Sequence, residues 1–432
     1  MSRLIALGLL ALMAACGPNP KAPVKVMAML PSVTGALTTK EIELTSVTNV
    51  TTLKGPWVEF VGSTRVVVDP NDPTQQLNGG LQNMSDDQRY EVIMKDKGGD
   101  VRGHYVERSG VLWPADFHTW NMVSTYYNFE RAYLYFVDVY AGVDPKELRP
   151  MRVQYWADVK LNSATSLLDN ALYLSFVKSF VVTPFQTQQL VPFSMNIGVV
   201  GHEVAHRVFN FKALRDAGVP TALGVWSLQA FNWLKSLDEG LADYHGFSVT
   251  CGEDAQCRPG FLGDSISDER TVAFRNVAKA DACMDNDLRT AFQNADQTAW
   301  VSSPNMYKVG SLVAASLYFA GEKSGKRQDL QRALIKAYDD DSAMTPGIRQ
   351  LIENSETDAK LGATKFTPEN VVDIIAAHVT DPELKKRVCN EFSTRLQLRC
   401  GQWPCMIDGV ASMPHCPGTS ARENTCPKLD QP

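Results

Sequence analysis

Gly201-His202-Glu203-Val204-Ala205-His206 constrains this chain more than any other stretch, because it lies inside an amphipathic run, Asn196 to Leu214, whose apolar residues repeat at helical spacing. On a helix, His202 and His206 sit one turn apart on one face, so both imidazoles can reach a single metal ion with Glu203 beside them. Neutral imidazole is a good ligand for Zn2+, and such a pair needs one more protein donor to leave a position open for water. The metal lowers the pKa of that water to about 7, and Glu203 is the carboxylate placed to take its proton. The competing reading is an accidental match on a helix, and a third ligand decides between the two.

A second helical run, Val225 to Gly246, supplies that candidate in Asp238-Glu239-Gly240-Leu241-Ala242-Asp243. Glu239 and Asp243 are four residues apart and share a face, so Glu239 can bind the metal while Asp243 accepts the free N–H of a ligand histidine and aims the ring. Either carboxylate alone would read as an ordinary solvent-facing acid. Gly240 and Ala242 are small enough to let two helices approach closely.

These segments resemble the gluzincins, the zinc metallopeptidase clan that includes the thermolysin family. The resemblance covers residues 117 to 320, and it implies peptide-bond hydrolysis with His202, His206 and Glu239 as zinc ligands, Glu203 as general base and Asp243 as partner of a ligand histidine. Asn170-Ala171-Leu172-Tyr173 is similar to the edge strand on which thermolysin-like enzymes lay out an extended peptide, so Asn170 and Ala171 become candidate substrate contacts. Attack on an amide builds negative charge on the carbonyl oxygen, which a positioned Tyr or His can stabilise; Tyr307 and His245 are the candidates. Residues 207 to 238 separate His206 from Glu239, more than in thermolysin, which calls for an inserted loop packed outside the site. A metzincin is excluded, because Phe209 and Lys212 stand where that motif needs Gly and His. Two other classes stay open: a zinc hydrolase of a non-peptide amide, and a surface-binding lipoprotein whose metal is structural.

The N-terminus reads as an export signal, with Arg3, the apolar run Leu4 to Met13, and the small residues Ala14 and Ala15. Met13-Ala14-Ala15-Cys16 resembles the lipobox of bacterial lipoproteins, which implies cleavage before Cys16 and a lipid on that cysteine, tethering the chain to a membrane, by analogy the outer one. A plain secretory signal is the alternative. Nine cysteines less Cys16 leave eight, an even number suited to disulfides in an oxidising compartment. They fall into two odd groups, three at 251–283 and five at 389–426, so full pairing needs at least one bond between the groups. A net charge of -6 argues against a nucleic-acid partner. A peptide or protein substrate and the membrane are the partners expected, and the oligomeric state stays open.

Taken in order, the chain is expected to be α+β. A signal at 1–15 and a tether at 16–24 lead into a β-rich domain at 25–111, with strands in Glu41–Leu53, Trp57–Val68 and Tyr90–Met94. A catalytic domain at 112–385 follows; the resemblance implies a mixed sheet with an active-site helix, then a helical subdomain. Within it, helices are expected at Phe117–Tyr140, Ser265–Ala280, Asn305–Glu322, Arg327–Tyr338 and Val371–Ala377, and strands at Val153–Val159 and Ala171–Phe176. A disulfide-rich tail at 386–432 closes the chain. His104, His118, His378 and His415 have no motif around them.

Overall fold

The computed structural model describes residues 23–398 apart from 32–35, 78–79, 82–83, 142–144, 162–164, 187–190, 215–227, 252–256, 267–268, 280–281, 341–342 and 354–366, and beyond them only 405–407 and 410–412. The signal, Cys16 and most of the tether therefore lie outside the described residues, as do the middle of the 207–238 insertion and Cys400, Cys416 and Cys426. Among the described residues no helix is long and apolar enough to cross a membrane.

Among the described residues, besides an antiparallel pair at Cys405–Ile407 and Val410–Ser412, eleven strands form three sheets: β1 (Val24–Pro31), β2 (Leu37–Leu44), β3 (Val58–Gly62), β4 (Arg65–Val68), β5 (Met94–Asp96), β6 (Tyr105–Arg108), β7 (Val111–Pro114), β8 (Met151–Tyr155), β9 (Asp158–Leu161), β10 (Ala171–Leu174) and β11 (Ser179–Val182). Their orders are β2-β1-β7-β6, β10-β11-β8-β3 and β5-β4-β9. The second sheet is mixed. β11 and β8 run parallel, as do β8 and β3, while β10 pairs antiparallel to β11 and forms an edge. The ribbons β3–β4 and β8–β9 pass together from the second sheet into the third. Each kinks at one left-handed residue, Ser63 (φ 57°) and Trp156 (φ 58°).

The boundary expected at 111 falls inside this packing. Strands β3 and β4 come from the region assigned to a separate β-rich domain, yet they pair with β8 and β9 from beyond it. One apolar core holds Val26 and Phe60 together with Tyr126, Val153 and Val204. Parallel strands need a long crossover between them, and here α2 (Phe117–Val139) provides it. Asp116 caps this helix by accepting from the Thr119 N–H at 2.8 Å, and its buried face carries Tyr126, Phe129, Tyr133 and Phe136.

Tyr90–Met94, expected as a strand, is the end of helix α1 (Asp86–Ile93) and the start of β5. A capping box decides it: Ser85 and Gln88 satisfy each other's backbone N–H groups, a local signal that outweighs the β-prone residues after it. The run from Glu41 stops as a strand at Leu44.

The C-terminal half is helical, with α3 (Ile197–Phe209), α4 (Leu228–Val249), α5 (Glu269–Phe274), α6 (Asn286–Asn294), α7 (Gln297–Val301), α8 (Pro304–Ser324), α9 (Arg327–Tyr338), α10 (Met344–Glu353), α11 (Pro368–His378) and α12 (Pro382–Leu396). The run to Leu214 ends as α-helix at Phe209 and continues as one π-helical stretch, Asn210–Leu214. Among the described residues of 265–280 the helix is the short α5. The tail expected from 386 begins later: α12 runs to Leu396 and buries Cys389, Phe392 and Leu396 in the core. Cys251 and Cys257 form a disulfide, and Cys283 and Cys389 are also disulfide-bonded.

Candidate metal centre

Asn196 starts the helix that carries the motif. Its side chain accepts from the Gly198 N–H at 3.0 Å and donates to the Phe261 carbonyl at 2.7 Å, which fixes both the helix terminus and the following turn. Helix α4 lies antiparallel to α3, since Gly246 packs against Gly198 and Asp238 against His206. The approach needs glycine: a Cβ added to Gly246 would stand 2.6 Å from the Gly198 carbonyl oxygen. Helix α8 crosses α4 at another such contact, where a Cβ on Gly240 would stand 2.3 Å from the carbonyl oxygen of Gly310. These crossings bring Glu239 of α4 and Tyr307 of α8 to the motif on α3.

His202, His206 and Glu239 converge, each offering one ligand atom within 4.8 Å of the others. The two Nε2 atoms are 3.0 Å apart, and Glu239 Oε2 is 3.4 Å from His202 Nε2. Asp243 Oδ1 lies 2.9 Å from His202 Nδ1, and Asp238 Oδ1 lies 2.8 Å from His206 Nδ1. His206 Nδ1 is thus hydrogen-bonded to a carboxylate, His202 Nδ1 lies against another, and both Nε2 atoms face the same point.

A cation fits that point on chemical grounds. The two imidazole Nε2 atoms, 3.0 Å apart, need a proton or a metal ion between them, and Glu239 Oε2 is buried with no hydrogen-bond partner among the described residues. Four acidic side chains (Glu203, Asp238, Glu239, Asp243) meet one guanidinium, Arg275, so the pocket holds an excess of negative charge. Burial alone would depress the His202 imidazole, but the Asp243 and Glu239 carboxylates beside it outweigh that and carry its pKa up to about 10. Burial would raise Glu239, and the neighbouring His206 and His202 instead pull it down to about 2. Both shifts express one demand for positive charge, which a divalent metal on these three ligands meets.

Glu203 sits beside the ligands with its Oε2 accepting the Tyr173 N–H at 2.7 Å, and burial raises its pKa. Asn170 and the edge-strand residues Ala171, Leu172 and Tyr173 of β10 form one wall of a cleft of about 320 Å³, whose floor carries His202, Glu203, His206 and Glu239. Tyr307 lines the same cleft; nearby Glu239, together with burial, holds its phenol well above its ordinary pKa. The Arg275 guanidinium stacks on the Tyr307 ring at 4.4 Å and grips Asp243 with Nη2 at 2.6 Å and Nε at 3.2 Å.

His245 does not belong to the site. It is buried on α4 between two tyrosines, with Nδ1 2.8 Å from Tyr135 Oη and Nε2 3.0 Å from Tyr338 Oη, and burial pushes its pKa down to about 3. Six residues after Glu239, more than a turn and a half, its face has rotated into the core, so it offers no donor to the cleft. Sequence reasoning missed Asp238 and Arg275. Asp238 had a signal, an acid next to the third ligand, whereas nothing near Arg275 marks it.

No protein-family model matches the chain. No curated protein matches it either. Among solved structures, the chain is similar to the precursor of protealysin, a metalloproteinase from Serratia proteamaculans, at 12% identity and a TM-score of 0.41, over 77% of this chain and 87% of that one.

Proposed function

We propose that the chain is a zinc-dependent peptidase with Glu203 as its general base. The observation that carries this reading is the convergence of His202, His206 and Glu239 around one point, with Glu203 beside them on the floor of a cleft walled by a free strand edge. A zinc ion held there would supply an acidified water and a polarised carbonyl. Glu203, oriented through Oε2 by the Tyr173 N–H, keeps its second oxygen for the water proton and returns that proton to the leaving amine. Tyr307 stays protonated and donates to the carbonyl oxygen as negative charge develops there. The edge strand β10 takes an extended substrate as an added strand, with Asn170 and Ala171 as its contacts.

The reading includes export and a lipid anchor on Cys16. The Leu4–Met13 run ending in Ala14-Ala15-Cys16 supports it, and the Cys251–Cys257 disulfide suits an oxidising compartment. Cys16→Ser should leave the chain soluble and unlabelled by radioactive palmitate, while the parent chain partitions with membranes.

The test of the chemistry is digestion of casein and a peptide library by the zinc-loaded chain, with and without chelator. Glu203→Gln should abolish cleavage with zinc still bound. Cleavage by that variant would overturn the assignment of the base. Turnover of small amides without any peptide cleavage would favour a different hydrolase, and tight zinc without any hydrolysis would favour a structural metal.

A further inference from the structure

We propose that Lys235 makes the cleft selective for substrates with a carboxylate side chain at one subsite. This rests on the peptidase reading above and names part of its substrate class.

Helix α3 serves as a ruler along the cleft floor. Val199 lies one turn before His202 and Asn210 one turn after His206, and all four line the cleft. At 1.5 Å per residue the outer two are roughly 16 Å apart, room for about five residues of an extended chain. The two ends differ in chemistry. At the Val199 end the lining is apolar, with Phe193, Leu262 and Ile266. The other end belongs to the start of α4, because α4 runs antiparallel to α3 and places Asp238 against His206. There the lining consists of Asn210, Leu214, Leu234 and Lys235.

Lys235 precedes Glu239 by four residues and so stands one turn away on the same helix face, roughly 6 Å from it between Cβ atoms. It is exposed. No carboxylate or hydrogen-bond acceptor engages it among the described residues. Among the described residues, every other charged group lining the cleft is committed. Arg275 is spent on Asp243, Asp238 on His206 and Glu203 on the Tyr173 N–H, and Glu239 faces the metal point. A substrate lying along β10 therefore meets one unpaired charge at this end, and it is positive. A lysine ammonium on a flexible stem suits a side-chain carboxylate, and pairing the two in the cleft favours Glu or Asp there over their amides.

The test uses matched peptides that differ only by Glu or Gln at each position around one scissile bond, cleaved by the full-length zinc-loaded chain. At one position kcat/KM should be about tenfold higher for Glu. Lys235→Ala should remove that ratio, Lys235→Arg should keep it, and Lys235→Glu should invert it in favour of a Lys-containing peptide. A wild-type chain that cuts both peptides equally, or a preference unchanged in Lys235→Ala, overturns the proposal. If no peptide is cut at all, the peptidase reading fails, and binding then judges the lysine. In Glu203→Gln protein, calorimetry should show the Glu peptide binding about tenfold more tightly than the Gln peptide, with the difference lost on adding Lys235→Ala. Equal binding overturns the proposal.

Discussion

Asp238 stands next to the ligand Glu239 in sequence, yet it serves the other histidine: its Oδ1 lies 2.8 Å from His206 Nδ1, while Asp243 takes His202. One helix thus supplies a metal ligand and the carboxylate partners of both imidazoles. Removing such a partner typically costs 10- to 100-fold in metal affinity. Asp238→Ala should weaken zinc by about that factor, and Asp238→Asn, which keeps an acceptor, by less. Competition against a chromogenic chelator measures both, and equal affinity in all three proteins would show that His206 is aimed by something else.

Tyr307→Phe removes one hydroxyl and leaves the ring stacked under the Arg275 guanidinium. Loss of an oxyanion donor costs about 10²- to 10³-fold in kcat. The expected result is that fall with KM and zinc content unchanged. A kcat within threefold of the parent would assign the donor elsewhere.

Gly240→Ala places a methyl group 2.3 Å from the Gly310 carbonyl oxygen, so helices α4 and α8 must move apart. Overpacking of this kind costs about 1–3 kcal/mol. Tyr307 lies one turn before Gly310, so kcat should fall along with the melting temperature. Gly99→Ala, where an added Cβ meets open space, is the control and should change neither.

His245 makes stability depend on pH. Its folded pKa, pushed down to about 3 by burial, lies below the ordinary histidine value near 6.5, so the unfolded chain takes up the proton first as the medium is acidified. The contribution is complete above about pH 6.5 and falls by up to roughly 1.4 kcal/mol per pH unit toward pH 3. His245→Gln, which can still hydrogen-bond both tyrosines, should lose less stability between pH 6.5 and 4 than the parent does in urea titrations. Parallel pH profiles would mean that His245 protonates freely in the folded chain.

The metal point was legible because its grammar is local: His202, Glu203 and His206 are fixed by one helical turn, and Glu239 and Asp243 by another. The edge strand was legible to within two residues, since Ala171-Leu172-Tyr173-Leu174 is a short apolar run rich in β-compatible residues. What stayed hidden depended on long-range packing. Arg275 comes from a stretch whose expected helix shrinks to Glu269–Phe274, and only the tertiary fold sets it against Asp243. His245 misled because a histidine near a metal helix looks useful until the rotation of the helix is known. The boundary at 111 failed for a related reason. Composition changes there, but hydrogen bonding ignores composition, and β3 finds its partner beyond the crossover helix.

That partnership governs how the molecule can be assembled. Val58 is synthesised long before Met151, yet the two sit opposite each other in a parallel ladder, so β3 has no neighbour in its sheet until most of the first half of the chain has emerged. Such distant pairing is slow to form and leaves an open edge while it waits. The early strands are therefore no detachable leader. Severing β3 would strip β8 of its outer neighbour, and the edge of the sheet away from the cleft would move inward onto β8, a strand otherwise paired on both sides.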